Sequence, residues 1–322
     1  MAATQYTTGP LSPIDADPRG QKRSPTEALA YRFIMPAAAV MAVITVYPLL
    51  YGVWMAFTNF GVQHIRHHNP RFVGLQNFVD ILTQAQYLDF SFLRIFGFNL
   101  LWTVVNISFH VALGVGLAML LNMDGMRGKR FYRAMLILPW AVPTYVTSLT
   151  WRNMFDTDYG AVNLLLKGWG VDGPNWFASF WSSFGAALTT NVWLGFPFML
   201  MVASAGLIAI PRDYYEAASL DGATPWQQFL NVTVPGLRPT MIPAITLGFV
   251  WTFNQFNVLY FVSRGDPLGQ TEILITQAYK LVDPMGLYGV ASAFSLIIFF
   301  ILLGITLANL RITRAADEGA SR

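Results

Sequence analysis

The sequence predicts an all-α integral membrane protein with about six transmembrane helices and a helical elbow in one of its polar loops. Two observations carry this. Only 11% of the 322 residues are charged and 54% are hydrophobic, whereas a soluble domain carries about a quarter charged residues because its surface faces water. In addition, six segments are each long and apolar enough to span a bilayer core, which takes roughly 20 apolar residues in helix. Barrel strands are excluded, since those are about ten residues long and alternate polar with apolar. In lipid, backbone groups find partners only within helices.

The elements follow in order. Residues 1–27 are polar and rich in Thr, Pro, Gly and Ser, and lack the basic start, apolar run and small-residue cleavage site of a signal peptide. They read as a disordered tail. The membrane domain covers 28–314, with spans at Tyr31–Phe57, Phe96–Leu121, Phe131–Trp151, Phe184–Ile210, Pro239–Phe261 and Leu287–Leu310, and a short tail at 315–322. Thirteen of the Lys and Arg residues fall on the side of the termini and seven on the other. The excess places both termini, and the loops holding Arg127–Arg133 and Arg212–Arg238, in the cytoplasm.

Several function classes drop out. A net charge of +3 without a dense basic patch implies no nucleic-acid partner. Absence of cysteine removes disulfides and thiolate metal sites. His64, His67 and His68 share one polar loop and read as solvated rather than metal-binding. Away from their ends the spans contain no Asp, Glu, Lys or Arg, so they offer no site for a coupling ion and no catalytic pair for an intramembrane enzyme. The remaining ionisable group is His110, read as a helix-packing or cavity-edge residue.

The loop between the fourth and fifth spans, 211–235, has the most specific pattern. Pro211 ends a span and Arg212-Asp213 can start a short helix through Leu220, with Glu216-Ala217-Ala218 as its high-propensity turn. Gly222 stops that helix or supplies a left-handed turn. Thr224-Pro225 caps a second short helix, Trp226 to Val232, which Pro235 is expected to end. Glu216-Ala217-Ala218, Asp221-Gly222-Ala223 and Val234-Pro235 resemble the EAA signature of permease subunits of binding-protein-dependent ABC importers, with Val234 where leucine is common. The resemblance implies that Glu216, Ala217, Ala218, Asp221, Gly222 and Pro235 form a coupling helix docking into an ATP-binding subunit. No G-x-x-x-x-G-K-[ST] phosphate loop is present. The chain is therefore expected to be no enzyme and to bind no cofactor, with ATP and Mg used by two separate ATP-binding subunits.

Three stretches bear on the cargo. The third span carries Pro139 and Pro143 around Trp140 and Thr144, and should be kinked or partly unwound there. The fourth carries Asn191, Trp193, Gly195, Pro197 and Phe198. In the fifth, Asn254 and Asn257 stand three apart, hence on one helix face. Aromatic faces, amides and freed carbonyls without charge suit a neutral polyhydroxylated molecule. The same residue types also bond helices to one another or mark the membrane interface.

These stretches, with Ala308-Asn-Leu-Arg-Ile-Thr-Arg, are similar to the carbohydrate-type permeases of the maltose/maltodextrin kind over roughly residues 30–314. That likeness implies a mid-membrane sugar site formed by Trp140, Thr144, Asn191, Trp193, Gly195, Phe198, Asn254 and Asn257. Trp140 and Phe198 stand where tyrosine is frequent, which leaves another oligosaccharide, a polyol or glycerol phosphate as alternatives. It also implies a bacterial inner-membrane location, a second permease subunit and an extracytoplasmic sugar-binding protein. The external loop at 152–183, with Trp169, Trp176 and Trp181, is the expected region of contact with that receptor.

Overall fold

The computed structural model describes residues 25–67, 69–85, 87–123 and 125–320. The expected disordered tail lies mostly outside the described residues, and its last part, from Pro25, already belongs to a helix. Residues up to Gly52 and residues from Val53 form two units.

Helix α1 runs Pro25–Ala56 with Pro36 and Pro48 inside it. Its apolar residues are spread all round, as in a helix made for lipid. From Val53 onward the second unit begins with two short helices, α2 (His64–His67) and α3 (Gln76–Thr83). Buried Asn77 fastens α3 by donating to the carbonyls of Ala56 and Thr58 at 2.8 and 2.9 Å. His64 Nδ1 accepts from the Gly61 N–H.

Helix α4 (Phe92–Asn122) is continuous. The third expected span is not. It consists of α5 (Lys129–Ala141) and α6 (Thr144–Met154), separated at Val142-Pro143. Pro143 has no N–H to donate, and the residue before a proline is pushed out of helical backbone. Val142 accordingly lies at ψ 134°. A short helix α7 (Ala161–Gly168) precedes the unbroken α8 (Phe180–Ala209).

Then come α9 (Arg212–Leu220) and α10 (Pro225–Gln228), followed without interruption by a π-helical turn at Phe229–Thr233 and by α11 (Val234–Phe253). The expectation that Pro235 ends the second elbow helix is therefore wrong. The wider π turn, closed by Val234 N–H to Phe229 O, brings the chain to Pro235 in the first turn of α11, where a missing N–H costs nothing. The elbow is thus continuous with the fifth span.

That span breaks elsewhere. Helix α11 stops at Phe253, and after Asn254 and Gln255 the chain continues as α12 (Phe256–Val258) and a second π turn, Leu259–Ser263. Side chains of α4 bond the carbonyls at the end of α11: Asn99 Nδ2 donates to Phe253 O at 3.1 Å, and Trp102 Nε1 donates at 3.2 Å to Thr252 O, which also accepts from Gln255 N–H. Asn99 Oδ1 in turn accepts from Leu274 N–H at 2.9 Å, the first residue of α13 (Leu274–Val282). Helix α14 (Tyr288–Ala320) is the last element described and extends into the expected C-terminal tail as far as Ala320. Among the described residues, four helices are long and apolar enough to cross a membrane: Tyr31–Ala56, Phe92–Asn122, Phe180–Ala209 and Tyr288–Ala308.

Helices α4 and α8 run parallel and meet at one residue per turn. Gly114 faces Met199, His110 faces Gly195, and Asn106 faces Asn191, a four-residue step along both helices. Helix α11 packs on this pair through Gly248, against Met199 and Ile107. One core cluster, including Met199, Leu200, Ala203, Leu237 and Met241, fills the junction. Another joins α3, α13 and α14 to the start of α4 through Ile81, Phe92, Leu274 and Phe294.

Replacing Asn99 by Ala leaves Phe253 O and Leu274 N–H unpaired inside the protein. The expected loss is about 1–3 kcal/mol per orphaned group, read as a melting midpoint several degrees lower in detergent. Thr189→Ala, which removes one exposed bond within a helix, should leave the midpoint unchanged.

Candidate solute-binding site and helical elbow

The interruptions of the third and fifth spans open onto one cavity of about 490 Å³, bounded by α4, α5, α6, α8 and α11. Breaking a helix exposes backbone groups and turns its last side chains off the helical path, and in a membrane this is tolerated where the break faces protein or a wet cavity. Trp140 ends α5 at the cavity wall and Thr144 opens α6. Asn191, Gly195 and Phe198 come from one face of α8, and Asn254 from the residue that terminates α11.

Two residues expected here are elsewhere. Trp193 points away along α8 and packs edge-on against Trp151, with ring centroids 6.1 Å apart. Asn257 lies beyond the break, in α12, and is not part of the lining. The same-face argument for Asn254 and Asn257 assumed an unbroken helix, and the chain leaves helical backbone between them. Trp251, Gln255 and His110 take part instead. Spacing could have found Trp251, which sits one turn before Asn254. His110 is signalled by being the lone ionisable group inside the spans.

The aromatic wall is a run of three rings. Phe198 stands between Trp140 and Trp251, with centroids 6.4 and 5.2 Å away. The polar wall is fixed by bonds between α4 and α8. Asn106 Nδ2 donates to Trp102 O at 2.7 Å, Asn191 Nδ2 donates to Asn106 Oδ1 at 2.7 Å, and His110 Nε2 meets Asn191 O at 3.0 Å. Gly195 is required by close approach: a Cβ there would stand 2.2 Å from His110 Cε1. Among the described residues, no Asp, Glu, Lys or Arg lines the cavity.

The elbow lies at the far end of α8. Helix α9 carries Glu216, Ala217 and Ala218 and buries none of its residues. Asp221 follows as its C-cap, and Gly222 turns the chain at φ +77°, a conformation that glycine adopts without strain. Thr224 then caps α10 with a reciprocal capping box to Gln227. Gln228 Nε2 donates to Ser219 Oγ at 2.9 Å, and Tyr215 and Thr233 hydroxyls meet at 2.9 Å, so the two arms are tied. Leu220 and Trp226 are 90% and 67% exposed at the tip, an apolar surface next to the Glu216 carboxylate. Pro235 is not at this tip but inside the continuous helix above it.

Residues 110–314 match the family model of the binding-protein-dependent transport system inner membrane component. The chain is 32% identical over 299 residues to the maltodextrin transport system permease protein MdxF of Bacillus subtilis, covering 86% of this chain and 67% of the relative. It is 33% identical over 286 residues to the trehalose/maltose transport system permease protein MalF of Thermococcus litoralis, covering 89% and 94%. The galactooligosaccharides permease protein GanP of Bacillus subtilis is 32% identical, over 92% of this chain and 72% of that one. A solved bacterial ABC transporter importing the acidic polysaccharide alginate shares the fold, with a TM-score of 0.76 at 21% identity over 90% of this chain and 96% of that one. With broken spans around a cavity, an exposed helical elbow and a family match over most of its length, this chain belongs to the membrane-embedded permease subunits of binding-protein-dependent ABC transporters.

Proposed function

We propose that the chain forms half of the translocation pathway of an ATP-driven importer for a neutral oligosaccharide, of the maltodextrin or related glucan class, and that the cavity between α4, α8 and α11 is its solute site. The observation that carries this is the lining: a row of aromatic rings opposite amides, a hydroxyl and an imidazole, with no formally charged carboxylate, ammonium or guanidinium. Sugar C–H faces stack on aromatic rings, and their hydroxyls exchange hydrogen bonds with amides. A phosphorylated cargo would lose its hydration here without meeting a cation. The relatives named for maltodextrin, trehalose/maltose and galactooligosaccharides agree with this class.

In this reading the four continuous spans and the two broken ones, α5–α6 and α11 with its continuation, make six crossings with both termini in the cytoplasm, as the Lys and Arg distribution favours. A second permease subunit completes the pathway. Two ATP-binding subunits hydrolyse ATP with Mg, one of them gripping the elbow at Glu216–Gly222, and this chain binds no cofactor. An extracytoplasmic binding protein delivers the sugar, with the loop around Trp169 and Trp181 as its contact. Because α10, the π turn and α11 follow one another without a break, a pull on the elbow is carried toward Trp251 and Asn254 along one helix, with Pro239 and Pro243 as the points where it can bend.

The deciding measurement is ATP hydrolysis by the reconstituted complex with its receptor, challenged with maltose, maltodextrins, trehalose and glycerol phosphate. A neutral sugar should stimulate it; stimulation by glycerol phosphate alone would overturn the cargo. Trp251→Ala should raise the half-saturating sugar concentration about tenfold, the effect of losing one ring contact and its burial. Gly222→Val forces a β-branched residue into left-handed backbone. It should lower sugar-stimulated hydrolysis at least tenfold while the melting midpoint stays put, since nothing on α9 is buried. Full stimulation in that variant would remove the elbow from the coupling path.

A further inference from the structure

The direction of each hydrogen bond around the cavity follows from two backbone carbonyls, which can only accept. Trp102 O receives Asn106 Nδ2. The amide of Asn106 is thereby oriented with Oδ1 toward α8, where it accepts from Asn191 Nδ2. The amide group of Asn191 is turned toward α4, and its remaining side-chain atom, Oδ1, is a pure acceptor with no partner within the described residues. The second carbonyl, Asn191 O, meets His110 Nε2, so Nε2 carries the proton. A neutral imidazole has one N–H, and Nδ1 is then an acceptor as well.

The Nδ1–Cε1–Nε2 edge of His110 occupies the place where a side chain at Gly195 would stand: a Cβ there would lie 2.2–2.7 Å from all three atoms. This edge is packed on Gly195 in the seam between α4 and α8, and both residues line the cavity, with Nδ1 not among the fully enclosed unpartnered atoms of the described residues. Nδ1 has no hydrogen-bond partner among the described residues. Asn254 repeats the pattern, its Nδ2 directed to Val250 O at 3.4 Å, which leaves Oδ1 free. Of these three groups only His110 has its whole donor capacity committed, its single N–H being spent on Asn191 O, whereas each asparagine amide keeps a second N–H beside its free oxygen.

We propose that His110 Nδ1 is a specificity-determining acceptor for a solute hydroxyl in this cavity, beside the donors that Trp140, Thr144, Trp251 and Gln255 bring to the same lining. The assignment rests on the cavity being the sugar site. It turns His110 from a packing residue into a contact that requires a hydroxyl proton at one position of the solute, which a fluorine or O-methyl group at that position cannot supply.

The test uses the complete reconstituted transporter and the neutral sugar that stimulates it best, beside its series of monodeoxyfluoro analogues, in which fluorine keeps the size of a hydroxyl but has no proton. Each analogue is supplied at a concentration saturating the binding protein, with that occupancy measured separately, so that differences report the membrane site. The wild type should discriminate against at least one analogue about five- to tenfold, the effect of one hydrogen bond. With the loaded binding protein as the varied substrate, His110→Phe should raise its KM when it carries the parent sugar by the same factor with kcat within about twofold, and should no longer distinguish that analogue. His110→Gln, whose amide can donate to Asn191 O and still present an oxygen, should restore the discrimination. A wild type that takes every fluorinated analogue as readily as the parent overturns the proposal without any variant, as does a His110→Phe protein that loses affinity equally for parent and all analogues. If no neutral sugar stimulates the complex, the cargo reading itself falls and this assignment with it.

Discussion

Helices α4 and α8 run side by side so closely that a single methyl group at Gly114 would stand 2.5 Å from Met199 Cβ and 2.8 Å from the Leu200 nitrogen. In lipid there is no hydrophobic gain from bringing two apolar helices together, and what holds them is van der Waals contact at small residues and interhelical hydrogen bonds. Both occur here in one four-residue ladder. Gly114 allows the approach, Gly195 one turn further admits the His110 ring, and at the next turn Asn106 and Asn191 are near enough to bond. Separate the helices by an ångström and the polar wall of the cavity loses its orientation. Helix α11 depends on the same contact, since Gly248 packs where Met199 and Ile107 converge.

The broken spans are possible because this pair is rigid. A helix that stops in mid-membrane leaves carbonyls without partners, and each must be met. Asn99, on the same α4 that carries His110, meets the carbonyl of Phe253, and Trp102 adds a second bond to Thr252 O, which Gln255 N–H already reaches. Asn99 also holds the first N–H of α13. One helix thus supplies the wall of the cavity and the caps of the element that breaks beside it. The π turns at Phe229–Thr233 and Leu259–Ser263 serve the other need, carrying the chain past irregular backbone while keeping its hydrogen bonds internal.

What the sequence disclosed and what it withheld divide along the range of the responsible interactions. The unbroken spans are legible because each is a long apolar run, and their ends differ from the expected ones by a few residues, apart from the C-terminal extension of α14. The Thr224 cap, the Gly222 turn and the interruption near Pro143 are also local, written in one or two residues each. The stop at Asn254 is not: nothing around it forbids a helix, and the side chains that make it tolerable lie about 150 residues earlier. Pro235 misled for a related reason, since a proline that ends an α-helix fits at the start of the next one when a π turn precedes it. On α8 the neighbours Asn191 and Trp193 differ by two positions and therefore face different ways, so a motif taken as a block named one residue of the cavity and one of its outer surface.

The absence of formal charge from the cavity has an electrical meaning. A membrane potential acts on every elementary charge that moves through it with about 2.3 kcal/mol per 100 mV. Asp, Glu, Lys and Arg are missing from the lining, and a neutral imidazole bonded to a carbonyl carries none. If this cavity turns from one face of the membrane to the other, as proposed, the field finds no formal charge on the described lining residues to push or to resist, and those residues contribute no gating current.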